Sequence, residues 1–344
     1  CAAVRKRVDF GVFAYGNLPQ KRFTDAVCAW YKKRYGLTLD PQAVRHSQGL
    51  MTGALWMILN AYTRPGDKIL VQPPVYNTFG IVIRGAGRFV ENNDLILKDG
   101  RYEIDFDDLE KKTADPRVRI LLVCNPANPV GRVWTREELT RMYEICKKNH
   151  TLIVSDEIHG DIVYAPHRHI PYFSLSEEIA DNVIVMGSPS KTFNLACFYS
   201  AYVVIHNEEL REQYGIVYED YHFDYNYLGI EALITAYNDC EYYADQQNEY
   251  LHKNIELVKS FLAQAMPEVK VIEPEATYLL WIDFRAWGLS SPELVRLFES
   301  AGVKLNSGAN YGAPGDGFLR LNVATQTTVL AEALRRMKKA AENR

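Results

Sequence analysis

The chain has no apolar stretch near the roughly 18 uninterrupted residues that a membrane-spanning helix requires. It also lacks a basic, apolar and small-residue run of signal-peptide type ahead of its first folded pattern. Six cysteines, Cys1, Cys28, Cys124, Cys146, Cys197 and Cys240, are scattered without Cys-x-x-Cys or zinc-type spacing. They read as free thiols of a reducing compartment, and a disulfide framework or a metal site is not expected. Positive charge is short as well: 39 Lys and Arg face 43 Asp and Glu, a net charge of -4, with no long basic run. An extended nucleic-acid backbone is therefore an unsuitable partner. Internal repeats and low-complexity linkers are absent too. The expectation is a cytoplasmic protein that handles a small ligand.

What is present is a regular alternation. Between about residues 40 and 240, short β-branched runs at Lys68 to Gln72, Arg88 to Glu91, Arg119 to Cys124, Leu152 to Ser155, Val183 to Gly187 and Ala201 to Ile205 are separated by helical patterns. That is the signature of βαβ units and a mostly parallel sheet. Thr135-Arg136-Glu137-Glu138 forms a capping box that opens a helix through about Asn149, and Leu55 to Tyr62 reads as a helix after a glycine-containing turn. Gly229 to about Ala265 reads as one long helix, after which Val269 to Ile272 and Leu279 to Phe284 restart strand patterns.

The chemistry-bearing residues stand at the ends of these strands. Lys191, in Ser188-Pro189-Ser190-Lys191-Thr192-Phe193-Asn194, places an amine beside hydroxyls suited to a phosphate. A lysine condenses with an aldehyde only when its pKa is lowered, so this segment has the form of a pyridoxal-phosphate (PLP) lysine. Asn128, in a Pro- and Gly-stiffened turn, presents an amide that can donate to a phenolate oxygen. Asp156 follows Thr151 to Val154 with a carboxylate able to keep a pyridine nitrogen protonated. Arg320, in the alternating Phe318 to Ala324, offers the planar fork that pairs with an α-carboxylate. Ser47 to Ala54 leads into a helix whose N-terminal amides, at Gly49, Leu50 and Met51, can face an anion, though an ordinary helix start fits equally. Tyr76, stiffened by Pro73-Pro74, can stack on a ring or be a core tyrosine. Tyr214, Tyr218, Tyr221, Tyr225 and Tyr227 form a crowded segment, either a substrate or dimer wall or a packed aromatic seam.

Asn128-Pro129-Val130-Gly131-Arg132-Val133-Trp134, Ser155 to Asp161, Pro189 to Asn194 and Thr277 to Arg285 together resemble the fold-type I PLP enzymes. Within that group the likeness is to the MalY/PatB-type cystathionine β-lyases, cystalysin among them, over nearly the whole chain. The resemblance implies an α/β, aspartate aminotransferase-like fold: a large PLP-binding domain over 1-240 with a mostly parallel sheet, and a smaller C-terminal α/β domain over 241-344. It implies PLP held by Lys191, Asp156, Asn128, Ser188, Ser190 and the backbone of Gly49, Leu50 and Met51. Tyr76 would cover the ring and assist proton transfer, His159 would orient Asp156, and Arg320 would bind the carboxylate of a small amino-acid substrate. Tyr15 would reach the phosphate of the neighbouring subunit in a homodimer. The implied activity is C–S β-lysis of cystathionine or another cysteine S-conjugate to a thiol, pyruvate and ammonia. A class I/II aminotransferase, and a regulatory protein that binds PLP with little turnover, are the alternatives.

Four departures accompany the likeness, one of them Ala324-Thr325-Gln326 in place of a Pro-containing continuation after the arginine strand, which is expected to be structural. Ala127 stands where these lyases often carry His. Tyr199 replaces the phosphate-binding arginine of many aminotransferases, which favours the lyase. A Trp-x-x-Asp-Met-Asp-like segment, which in the family precedes the position of Cys1 and closes over the substrate, is not among the residues; either it precedes them or it is truly absent, and a true absence would open the site to water.

Overall fold

The structure is a computed structural model and describes residues 1-221 and 225-344. Its strands, in chain order, are β1 (Val44–Gln48), β2 (Lys68–Val71), β3 (Phe89–Asn92), β4 (Ile96–Lys98), β5 (Arg101–Glu103), β6 (Val118–Cys124), β7 (Leu152–Asp156), β8 (Val183–Gly187), β9 (Ser200–Ile205), β10 (Lys270–Val271), β11 (Leu279–Asp283), β12 (Asn306–Ser307) and β13 (Phe318–Asn322). A seven-stranded sheet has the order β1-β9-β8-β7-β6-β2-β3. Its pairs from β8 to β3 are parallel, and β9 alone runs against its two neighbours.

Both faces of that sheet are covered, which is why its strands read as continuous apolar runs. Along β6, Leu121 and Val123 join a layer containing Phe23, Trp30, Leu139 and Met142, while Ile120 and Leu122 join the opposite layer with Leu55, Ile58, Phe79 and Ile184. Each such side chain contributes about 1.5–3 kcal/mol when fully buried. A four-stranded antiparallel sheet, β10-β11-β13-β12, carries a third core of Leu280, Ile282, Phe284, Leu294, Leu319 and Leu334. The Arg136–Lys148 helix starts at the expected capping box, with Thr135 accepting from the Glu138 N–H and Glu138 accepting from the Thr135 N–H.

The expected long helix from Gly229 is two helices, Tyr227–Asp239 and Glu241–Ala265, broken at Cys240 with φ -120° and ψ 25°. Asn238-Asp239-Cys240 supplies three successive weak helix formers, and the apolar pattern on either side masks the break. The helix before Tyr62 also differs: a π-helical turn, Leu50–Leu55, precedes its α-helical part, Trp56–Tyr62. Among the described residues no helix is long and apolar enough to cross a membrane.

Candidate active site

The parallel strands deliver their side chains to one place, outside their carboxyl ends, where ligands of open α/β sheets bind. Asp156 ends β7, the Asn128 turn follows β6, and the Lys191 loop follows β8. The Asn125 N–H donates to the Asp156 carbonyl at 2.9 Å, which ties the first two loops together. Arg320 arrives from β13 of the other sheet, and Gly49, Leu50 and Met51 arrive from the turn after β1. These residues, with Tyr76, His159, Ser188 and Ser190, line a cleft of about 510 Å³. Every residue assigned from sequence is there except Tyr15. That side chain is 91 % exposed and borders a separate cleft with Arg7, Phe13 and Tyr227.

Burial sets the ionisation of the cleft. It pushes the Asp156 carboxyl up to about 7, against the opposing pull of the Ile158 N–H, at 3.1 Å, and of the Lys191 charge. Burial also lowers the Lys191 amine; Arg320 adds to the lowering and Asp156 opposes it. His159 falls to about 3 because it is buried and faces the charges of Lys191 and Arg320, so its ring is neutral. Its Nδ1 is buried without a partner, and its ring meets Tyr278 edge-on at 5.6 Å. Arg320 Nη1 donates to Asn128 Oδ1 at 3.1 Å and Nη2 to Asn306 Oδ1 at 3.0 Å, while Nε is buried without a partner. Because an arginine only donates, the Asn128 atom facing it must be oxygen, and the amide NH2 is turned the other way.

These features fit PLP. Gly49 has φ +79°, and a Cβ there would lie 3.2 Å from Tyr199 Cδ1, so the turn keeps open space beside the Leu50 and Met51 backbone where a phosphate can approach. A lysine whose pKa burial lowers, a buried acid, the unpartnered Arg320 Nε and the Asn128 amide NH2 supply the groups that a pyridine aldehyde and an amino acid require. The serine assignment is refined: Ser188 Oγ donates to the Ser200 carbonyl at 2.8 Å and accepts from the Ser190 N–H at 3.1 Å, so this hydroxyl also braces the loop.

Tyr199 lines the cleft at the position noted in the sequence; Tyr278, Thr52 and Cys124, which also line it, and Asn306 and Tyr311, which hold Arg320, were assigned no role there. Tyr278 lies within a motif already singled out; the other signal, cross-strand adjacency of Asn306 and Arg320, exists only in the folded sheet. The crowded tyrosines are mainly a packed seam. Tyr214 is fully buried, and Tyr218 Oη lies 3.2 Å from His46 Nδ1, whose ring also meets Tyr225 edge-on.

The site defines a PLP-type amino-acid enzyme, and comparison with known proteins agrees. The chain belongs to the aminotransferase class I and II family, whose sequence model matches residues 4–337. It is 39 % identical to cystathionine beta-lyase PatB of Bacillus subtilis (strain 168), over 98 % of this chain and 87 % of that protein. Cystalysin of Treponema denticola, whose crystal structure contains pyridoxal 5'-phosphate, superposes with a TM-score of 0.95 at 32 % identity, covering 99 % of this chain and 87 % of cystalysin. The PLP-bound C–S lyase of Staphylococcus hominis superposes with a TM-score of 0.91 at 30 % identity, covering 98 % of this chain and 88 % of that one.

Proposed function

We propose that this protein is a PLP-dependent C–S β-lyase acting on cystathionine or another cysteine S-conjugate. The observation that carries the reading is the meeting of Lys191, Asp156, Asn128 and Arg320 in one cleft, in a chain whose similar proteins include named cystathionine and C–S lyases. When bound, the cofactor supplies the electron sink for the pair released as the Cα–H bond breaks. Lys191 Nζ, its pKa lowered by burial, takes that proton as the base. Asp156 would hold the pyridine nitrogen protonated by pairing with it, and the neutral His159 ring would help to orient that acid. Arg320 would grip the substrate carboxylate, and Tyr76, which lines the same cleft, would cover the ring and assist proton transfer. The Cβ–S bond then breaks, the sulfur leaves as a thiol, and water converts the three-carbon remainder to pyruvate and ammonia.

The same reading has a large unit over 1-240 and a small one over 241-344, working as a cytoplasmic homodimer in which Tyr15 serves the neighbouring phosphate. The exposure of Tyr15 and its neighbours Phe10 and Phe13 supports that pairing. The test is incubation of the PLP-loaded protein with L-cystathionine. Pyruvate and a thiol in equal amounts, both lost in Lys191→Ala, are expected. Amino-group transfer to a keto acid without pyruvate would instead make it an aminotransferase, the activity that the family's description names. Cofactor binding with neither product would make it a regulatory PLP-binding protein.

A further inference from the structure

Asp161 belongs to the same segment as Asp156 but lines a different cavity, of about 500 Å³, together with Arg34, Tyr35 and His169. Its carboxylate accepts from Tyr35 Oη at 2.8 Å, from Trp30 Nε1 at 3.2 Å to each oxygen, and from Thr192 Oγ1 at 3.1 Å. Its carbonyl accepts from Asn248 Nδ2 at 2.8 Å. One residue therefore ties together the Gln20–Tyr35 helix, the Glu241–Ala265 helix and the loop that carries Lys191. Burial pushes the Asp161 carboxyl up, while Tyr35, Arg34 and Thr192 act to keep it ionised.

Lys191 and Thr192 face opposite ways. Lys191 lines the cofactor cleft, whereas Thr192 is 1 % exposed with its hydroxyl on Asp161. The loop's own backbone bonds, Phe193 N–H to Pro189 and Leu195 N–H to Ser190, close its turn without fixing it to the rest of the fold. Ser188 Oγ ties the start of the loop to the Ser200 carbonyl, and beyond Lys191 the fixing comes from behind. Phe193, next in the chain, meets Trp30 edge-on at 5.6 Å and stacks on Tyr243 at 5.9 Å, so the indole that bonds Asp161 also supports the loop. The ionisation of Lys191 is governed by burial, Asp156 and Arg320, which leaves Asp161 to act on it through geometry.

We propose that Asp161, acting through the Thr192 hydroxyl, is a positioning residue for Lys191: it anchors the loop from the face opposite the cleft and so holds the amine in place. This rests on the reading of Lys191 as the reacting amine. A displacement of about 1 Å at a reacting group costs on the order of 100-fold in rate.

Thr192→Val keeps the shape of the side chain and removes the hydroxyl; Thr192→Ser keeps the hydroxyl. The first readout needs no cofactor: the pH dependence of Lys191 acetylation in the cofactor-free protein, followed by mass spectrometry of the Lys191 peptide. Thr192→Val is expected to move the midpoint up toward that of an exposed lysine, and Thr192→Ser to track the wild type. The second readout is kinetic: in the PLP-loaded protein kcat falls about 10–100-fold in Thr192→Val with KM little changed, because Arg320 is untouched. Thermal melting checks that the variant is folded, and Thr192→Ala gives the same comparison if Thr192→Val does not fold. A wild-type labelling midpoint in the folded variant overturns the proposal, even if kcat falls. If the midpoint moves but the wild type itself produces no pyruvate, the positioning role stands and the lyase reading fails.

Discussion

Asp156 and His159 lie within one turn of chain, and burial drives both toward their uncharged forms: the acid rises to about 7 and the imidazole falls to about 3. A raised carboxyl pKa means that the folded chain holds its proton more tightly than the unfolded chain. The stabilisation is fully present below the unfolded value of 3.8 and is lost as pH rises through about 7. The cofactor-free wild type should therefore lose stability on the order of a few kcal/mol between pH 4 and pH 8 from this group. Asp156→Asn, which cannot ionise, should melt above the wild type at pH 8 and level with it at pH 4. An equal difference at both pH values would contradict the buried-acid reading. Arg320→Lys replaces the planar fork with a single ammonium and should raise KM for L-cystathionine roughly 10–100-fold, measured by steady-state kinetics. Residues of this kind were legible in the sequence because each closes a β-branched run or lies within an alternating strand. Asn306 was not: it reaches Arg320 only through the register of β12 with β13. The partnership of Asp161 with Thr192 was hidden likewise, since the two belong to separate loops.

At the scale of elements, the turn into the Leu50–Leu55 helix decides how the backbone meets a phosphate. Gly49→Ala places a side chain at φ +79° and 3.2 Å from Tyr199. Strain of about 1–2 kcal/mol from the left-handed backbone, together with that contact, should weaken PLP binding about 10-fold or more, measured by titrating the cofactor-free protein. Gly36→Ala is the control: its φ is +71° but no atom lies within 4 Å of the added carbon, so it should cost stability and leave PLP affinity alone. The glycine in this turn was visible in the sequence. Its π-helical form was not, because Leu50 to Leu55 has the composition of an ordinary helix. The reversal of β9 was equally hidden, because Ser200–Ile205 is buried throughout and an apolar run carries no direction.

Across the whole molecule, Glu275 joins the Asn128 turn to the second sheet. Its carboxylate accepts from Arg132 Nε at 3.2 Å, Arg101 Nε at 2.9 Å and the Val133 N–H at 2.8 Å, and the Glu275 and Ala276 N–H groups both donate to the Gly131 carbonyl. Arg132 is almost fully buried, so Arg132→Met leaves Glu275 underpaired and should cost about 3–5 kcal/mol in urea unfolding. The strand patterns that restart at Val269 to Ile272 and Leu279 to Phe284 pointed to a second α/β unit, but the sequence could not announce this joint, whose partners are drawn from distant segments. Every role assigned in the cleft depends on Lys191 as the residue that takes the cofactor. Borohydride reduction of the PLP-loaded protein, followed by peptide mass spectrometry, tests that most directly. The mass of reduced pyridoxyl phosphate is predicted on the Lys191 peptide alone; its appearance on another lysine, or on none, would contradict the account.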